Sequence, residues 1–370
     1  MKSIRSFFNT GLIMNNIKRF WWIGVLCFIT IIVVLFLMIP NNVFRFTYND
    51  PIVSDAPSVS DAPDVSLVPS VSVTPSVSVA PSVSIAPSVN ITPSVSITPI
   101  KLNKPSFSLN QTSAYPGDTI AVFVSGLNKG GFTVNAPFYD KTINFYPYKE
   151  GYVGFIPIYA WLTPATYQIK AYVSGSDLIK TFDIEVLPKT FDVQHITVDK
   201  STSAILTDDN AAKDQVYFDK ARSKPIQEKL WESAFIQPVA GTITTDYCST
   251  RYTNNNSSPS RHLAIDIAND LGTPIIASNN GKVVLAKKLI TTGNTIVIDH
   301  GMGIFTSYFH MSELLVNEGD FVFKEDVISK MGSTGYSTGS HLHFAIWMDG
   351  TFLNPWTFFS KDPITSPINS

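Results

Sequence analysis

The stretch His262-Leu263-Ala264-Ile265-Asp266-Ile267 alternates apolar residues with polar or small ones. A two-residue period is that of a strand, in which successive side chains point to opposite faces. The reading puts His262 and Asp266 on one face with only Ala264 between them, and gives Leu263, Ile265 and Ile267 to a core. His341-Leu342-His343-Phe344-Ala345-Ile346 follows the same rule: two imidazoles leave one side while Leu342, Phe344 and Ile346 enter the interior. A third run, Ile304 to His310, reads as a strand whose Tyr308 and His310 point the same way. These segments predict an antiparallel sheet with its polar groups gathered on one face.

The chain has 6 histidines, and His262, His300, His310, His341 and His343 all fall within 262–343. That concentration calls for a site rather than scattered surface residues. A catalytic zinc site uses three protein ligands drawn from His and carboxylates and leaves a fourth position open. Two His and one Asp meet that requirement, and spacing alone lets His310, His341 or His343 reach the metal. The non-haem iron facial triad uses the same ligand types. It places its first His and carboxylate closer together and has no use for a His-x-His pair.

Three segments together resemble the lysostaphin-like (LytM-type) peptidoglycan zinc metalloendopeptidases: His262-x-x-x-Asp266, the run from Gly332 to Phe344 that ends in His341-Leu342-His343-Phe344, and Tyr308-Phe309-His310-Met311-Ser312. The resemblance covers about residues 235–358. Supporting segments occur in order, among them Pro238-Val239-Ala240-Gly241, Gly272-Thr273-Pro274, Gly293-Asn294-Thr295 and Asn354-Pro355. It implies Zn2+ as cofactor, His262, Asp266 and His343 as metal ligands, and His310 and His341 as a catalytic pair. It further implies metal-assisted hydrolysis of peptide bonds in stem or cross-bridge peptides, with the two histidines sharing water activation, oxyanion stabilisation and proton delivery. No His-Glu-x-x-His motif is present, so a glutamate base is not expected.

The pattern has departures. Ala264 replaces the usual Gly, Ala345 the common Glu, and Tyr247-Cys248-Ser249-Thr250-Arg251 the frequent Phe-Gly-x-Arg, a change expected to reshape the loop before the first ligand. Cys248 reads as a packed thiol, His300 and His195 as structural, and Asn294 as a substrate or loop contact.

Outward from this region, residues 208–233 predict a helix opened by Asp208 or Asp209 and broken at Pro225, then a second helical piece ending near Trp231. Residues 105–187 carry short alternating runs, such as Ile120–Val124 and Tyr167–Val173, and predict an immunoglobulin-like β-sandwich. Prolines at 51, 57, 63, 69, 75, 81, 87, 93 and 99 mark a strict repeat. Regular Pro resists helix and sheet, so 41–104 reads as an extended stalk, on the order of 150 Å long over residues 51–104. Phe20 to Ile39 is free of charge and makes about 30 Å of helix, enough to span a bilayer. Lys2, Arg5, Lys18 and Arg19 before it hold the N-terminus in the cytoplasm and place the rest outside.

The expected layout is mainly β: a cytoplasmic tail 1–19, a transmembrane anchor 20–40, the stalk 41–104, the sandwich 105–187, a connector 188–234, an antiparallel-sheet zinc peptidase domain 235–360 and a tail 361–370. Lys+Arg 27 against Asp+Glu 29 gives a net charge of −2, which excludes a polyanion such as nucleic acid as the main partner. Two cysteines exclude a disulfide framework. The expected partners are peptidoglycan peptides and the cell membrane. The competing reading is a non-catalytic wall-binding or scaffold protein on the same fold.

Overall fold

The computed structural model describes residues 104–365 apart from 176, 177 and 255. The expected cytoplasmic tail, membrane helix and Pro-repeat stalk lie outside the described residues.

The described part is mainly β. Ser106–Leu109, Thr119–Ser125, Gly151–Pro157 and Phe145–Tyr148 form one four-stranded antiparallel sheet. Ser113–Ala114, Leu178–Val186, Ala165–Val173 and Phe132–Asn135 form a second, in which Ser113–Ala114 runs parallel to its neighbour. The first sheet supplies Leu109, Ile120, Val122 and Ile156 to a shared core, and the second supplies Val134, Ile169, Phe182 and Ile184.

The larger sheet has eight strands, all antiparallel. Its order is Thr242–Thr245, Ile265–Ala268, His341–Met348, Ile304–Met311, Asn294–Asp299, Gly281–Lys288 and Phe321–Val322, with Thr351–Leu353 added beside His341–Met348. Alternation along His341–Met348 is as the sequence predicts: Leu342, Phe344, Ile346 and Met348 join the main core, while His341, His343 and Trp347 take the opposite face. The main core reaches into the first of the two four-stranded sheets. Tyr146, Val153 and Phe155 pack in one cluster with Trp231, Phe235, Met348, Leu353 and Phe358. The turn before Thr119–Ser125 adds hydrogen bonds, from Asn354 N to Gly117 O at 2.8 Å and from Thr357 Oγ1 to Asp118 Oδ1 at 2.6 Å.

The helix of the connector spans Asp208–Arg222 and is capped by Thr207, whose side chain accepts from Asn210 N, rather than by Asp208 or Asp209. Those two acids instead occupy the first turn, where they complement the helix dipole. The expected second helical piece near Trp231 is absent. Its backbone groups go to tertiary partners: Ile226 N donates to Asp299 Oδ2 at 2.9 Å and Leu230 N to His300 O at 2.9 Å. The helix buries Asp214, Phe218 and Arg222, four residues apart and therefore on one stripe. Phe218 joins Leu285, Val297, Phe305 and Phe309 in a small apolar cluster on the polar-group face of the sheet. Arg222 lies 4.7 Å from the Trp347 ring centroid and donates to Ser307 Oγ at 3.0 Å. The helix thus covers one end of that face and leaves the end bearing His341 and His343 uncovered.

Candidate metal centre

His262 and Asp266 do not share a strand. His262 ends Ser260–His262, which pairs with Ser249–Thr253 in a separate three-stranded sheet, and Asp266 is the second residue of the next strand, Ile265–Ala268, after a break at Leu263 and Ala264. The two side chains nonetheless converge, because Asp266 stands opposite His343 in the antiparallel register and the break turns His262 back onto them. His262 Nε2 and Asp266 Oδ1 are 3.0 Å apart, His343 Nδ1 and Asp266 Oδ1 3.0 Å, and His262 Nε2 and His343 Nδ1 3.1 Å.

Three ligand atoms at the corners of a triangle suit a tetrahedral ion, since bonds of about 2.0–2.1 Å put neighbouring donors about 3.3 Å apart. The donor chemistry agrees. Two imidazole lone pairs and one carboxylate oxygen converge, and a single cation satisfies all three. His262 and Asp266 are each 6% exposed, so neither is satisfied by bulk solvent. Burial pushes His343 down to about 4 against the pull of Asp266, which keeps the ring neutral at pH 7. Burial alone would raise the Asp266 carboxyl, but His262 and His343 beside it hold it well below the usual carboxylate range. The His343 ring stacks flat on Phe309, with centroids 5.1 Å apart and 5° between planes.

The second oxygen of Asp266 is also held. Arg251 Nη2 donates to Asp266 Oδ2 at 3.0 Å and to Thr245 Oγ1 at 2.8 Å. Sequence reasoning met Arg251 only as part of an altered loop. The signal was the Arg of the family's Phe-Gly-x-Arg segment, preserved here although its neighbours differ.

His310 reaches the site by a route that alternation does not give. Tyr308 belongs to the core face, where Ser278 N donates to its hydroxyl at 2.9 Å, so Tyr308 and His310 do not point the same way as expected. Ile296 pairs with Tyr308 and Asn294 with Met311, which leaves Thr295 opposite both Phe309 and His310. This is a β-bulge, and His310 takes a φ of 68° within it. The extra residue returns Met311 to the core and brings the His310 ring within 4.9 Å of His341, centroid to centroid. A positive φ costs a non-glycine residue about 1–3 kcal/mol, and such strain persists where its surroundings over-determine it. Here Gly332 packs so close that an added Cβ would lie 2.5 Å from His310 O and 2.2 Å from Ser312 N.

Both of these histidines have assigned ring orientations. His310 Nδ1 donates to Thr334 O at 2.8 Å and His341 Nδ1 to Gly339 O at 2.9 Å, which leaves Nε2 of each as the free nitrogen. His341 Nε2 lies 3.9 Å from Asp266 Oδ1. Burial, then His341 and His343, push His310 down to about 3, so it is neutral at pH 7.

The remaining candidates are structural. His300 is fully buried, with Nδ1 donating to Asn280 O at 2.7 Å and Nε2 2.7 Å from Thr306 Oγ1. Asn294 Nδ2 donates to Met311 O and Ser312 O, both at 3.0 Å, and so holds the end of the bulged strand. His195 stacks on Tyr252. Cys248 is buried, and burial pushes its thiol up to about 11, which removes it as a nucleophile.

Two histidines and one aspartate converge where the two sheets meet, with His310 and His341 alongside, a donor set that suits a metal-dependent hydrolase. Residues 260–355 match Peptidase family M23. Over these residues the chain is similar to zinc metalloproteases of that family, peptidoglycan DD-endopeptidases among them. An uncharacterized metalloprotease of Buchnera aphidicola is 38% identical over 113 residues, 30% of this chain and 30% of the relative. Peptidoglycan DD-endopeptidase ShyA of Vibrio cholerae is 38% identical over 93 residues, 25% of this chain and 22% of the relative. The chain therefore spans less than a third of the length of these curated relatives. The crystallised catalytic domain of lysostaphin, the antimicrobial peptidase of Staphylococcus simulans, is 27% identical, with 35% of this chain and 92% of that domain covered at a TM-score of 0.27.

Proposed function

We propose that this protein is a zinc metalloendopeptidase that hydrolyses peptide bonds in the stem or cross-bridge peptides of peptidoglycan, with its enzyme domain held on the wall side of the cell membrane by an N-terminal anchor. The observation that carries the chemistry is the triangle of His262 Nε2, Asp266 Oδ1 and His343 Nδ1, with edges of 3.0–3.1 Å. In this reading those three residues hold zinc. When bound, zinc supplies Lewis acidity to the scissile carbonyl and a water whose pKa is lowered towards about 7.

The chain's own groups do the proton work. His310 and His341 each fix Nδ1–H on a carbonyl and present Nε2 to the site, so each ring is ready to accept a proton there. One accepts the proton that water loses on attack. The protonated ring then donates to the oxyanion and delivers its proton to the departing amine as the C–N bond breaks. Arg251 and Thr245 keep Asp266 turned so that Oδ1, not Oδ2, faces the histidines.

The substrate class is taken from the resemblance and from relatives such as the DD-endopeptidase of Vibrio cholerae. The topology rests on the uncharged run Phe20 to Ile39 and the four basic residues before it. Purified cell wall digested with the full chain and its His343→Ala variant, with released fragments read by mass spectrometry, tests the reading. New amine and carboxyl ends from the wild type alone are expected. Wall binding without release of fragments would leave the scaffold reading in its place.

A further inference from the structure

What fixes His310 arrives through two loops, and a helix outside the segment matched to the family holds one of them. Asp214 sits mid-way along the helix Asp208–Arg222 and is 3% exposed. A buried carboxylate is costly unless its oxygens are hydrogen-bonded. Asp214 Oδ1 accepts from Ile290 N at 2.9 Å, and Oδ2 accepts from Thr291 N and Thr291 Oγ1, both at 2.6 Å. Bonds to an ionised acceptor are short and strong, so the turn at 290–293 is fastened to the helix.

The same turn faces the site with its carbonyls. Thr291 O accepts from Tyr336 N at 2.7 Å, and Thr292 O accepts from His310 N at 2.9 Å. Tyr336 belongs to the loop 332–340, whose Thr334 O receives the His310 Nδ1–H bond. That loop sits tight on the turn: at Gly335 an added Cβ would lie 2.6 Å from Thr291 O and 2.4 Å from Gly293 N. The His310 backbone is therefore held by the turn itself and its ring by a loop fastened to that turn, and the turn is fastened to Asp214.

We propose that Asp214 is a positioning residue, which acts from the connector helix through the 290–293 turn to set the orientation of the His310 imidazole. The proposal rests on the reading of His310 as a catalytic group. A carboxylate serves here because one side chain must receive three donors. In Asp214→Asn the amide keeps one acceptor oxygen and turns N–H groups towards a backbone N–H.

The test uses the full chain labelled with 15N-histidine, whose 6 histidines give a sparse spectrum. The His310 Nδ1–H signal is assigned by its loss in His310→Gln. In Asp214→Asn that signal is expected to lose its protection from exchange, while zinc content stays at the wild-type level. On wall peptides kcat is expected to fall about 10-fold or more with KM within about twofold, because a small misplacement of a reacting group is costly. Asp209→Asn, on the exposed side of the same helix, is expected to leave both readouts unchanged. A wild-type His310 signal and wild-type kcat per zinc-loaded molecule in Asp214→Asn overturn the proposal and leave Asp214 as a docking residue only. If Asp214→Asn does not fold, Thr291→Val decides, since it deletes one donor and keeps two. An unchanged His310 signal there is equally fatal. Should the wild type release no wall fragments, the functional reading fails, and the His310 signal still tests the link.

Discussion

Asp266 stands directly opposite His343 on neighbouring antiparallel strands, and their side chains meet at 3.0 Å. That pairing is set by backbone hydrogen bonds, so two of the three proposed ligands are positioned before any metal arrives. The third, His262, comes from a different sheet. A site assembled this way loses metal whenever any one of its three side chains is shortened.

The full chain is expected to carry about one zinc, and His262→Ala, Asp266→Ala and His343→Ala are each expected to lose most of it, because each deletes one of three protein bonds. Metal analysis after dialysis measures this. Undiminished zinc in all three variants sinks the ligand assignment.

His310→Ala and His341→Ala are expected to keep near-normal zinc while turnover drops by roughly 10²-fold or more, the scale of acid-base groups. If His341→Ala sheds zinc and His343→Ala retains it, the ligand is the first histidine of the pair and the roles are inverted.

Arg251 holds Asp266 Oδ2 and touches no other proposed ligand. Arg251→Ala is expected to weaken zinc binding by roughly 10- to 100-fold, the usual effect of losing a group that orients a ligand. Competition with a chelator of known affinity reads it. An affinity within twofold of wild type would show that Asp266 keeps its orientation without the guanidinium.

Burial pushes Asp299 up to about 6, against backbone donors at Ile226 and Gly301 that favour its ionised form. Between about pH 4 and 6 the folded state then holds a proton that the unfolded chain has released. Stability supplied by this group is present at acid pH and declines as pH rises through 6, by at most about 3 kcal/mol over the window. Denaturant melts of wild type and Asp299→Asn across pH 4–7 isolate the contribution. Parallel curves for the two proteins contradict it. These melts need the two four-stranded sheets as well as the eight-stranded one, since Tyr146, Val153 and Phe155 share a core with Trp231 and Phe358.

The period-two pattern of His341 to Ile346 was enough to put His341 and His343 on one face and Leu342, Phe344 and Ile346 in the core, because strand geometry is local and the pattern repeats. That His262, Asp266 and His343 would lie together was likewise legible, from residue types and the family resemblance. The same pattern in His262 to Ile267 suggested one continuous strand, and there the reasoning reached the right neighbours by the wrong path. The chain breaks at Leu263 and Ala264, and the convergence depends on how two sheets abut. Nothing local announces the bulge at His310 either. Alternation sends that side chain into the core with Tyr308. Its actual direction is decided by Gly332 crowding the backbone and by Thr292 and Thr334 receiving its N–H groups. The helix shows the same division. Its acidic start could be read from sequence, whereas the role of Asp214 requires a turn 76 residues away, at Ile290. Sequence thus determined which groups are available and which face each regular strand offers, since those follow from neighbours along the chain. Tertiary structure decided which orphaned backbone donors each polar side chain meets, and so where the imidazoles point.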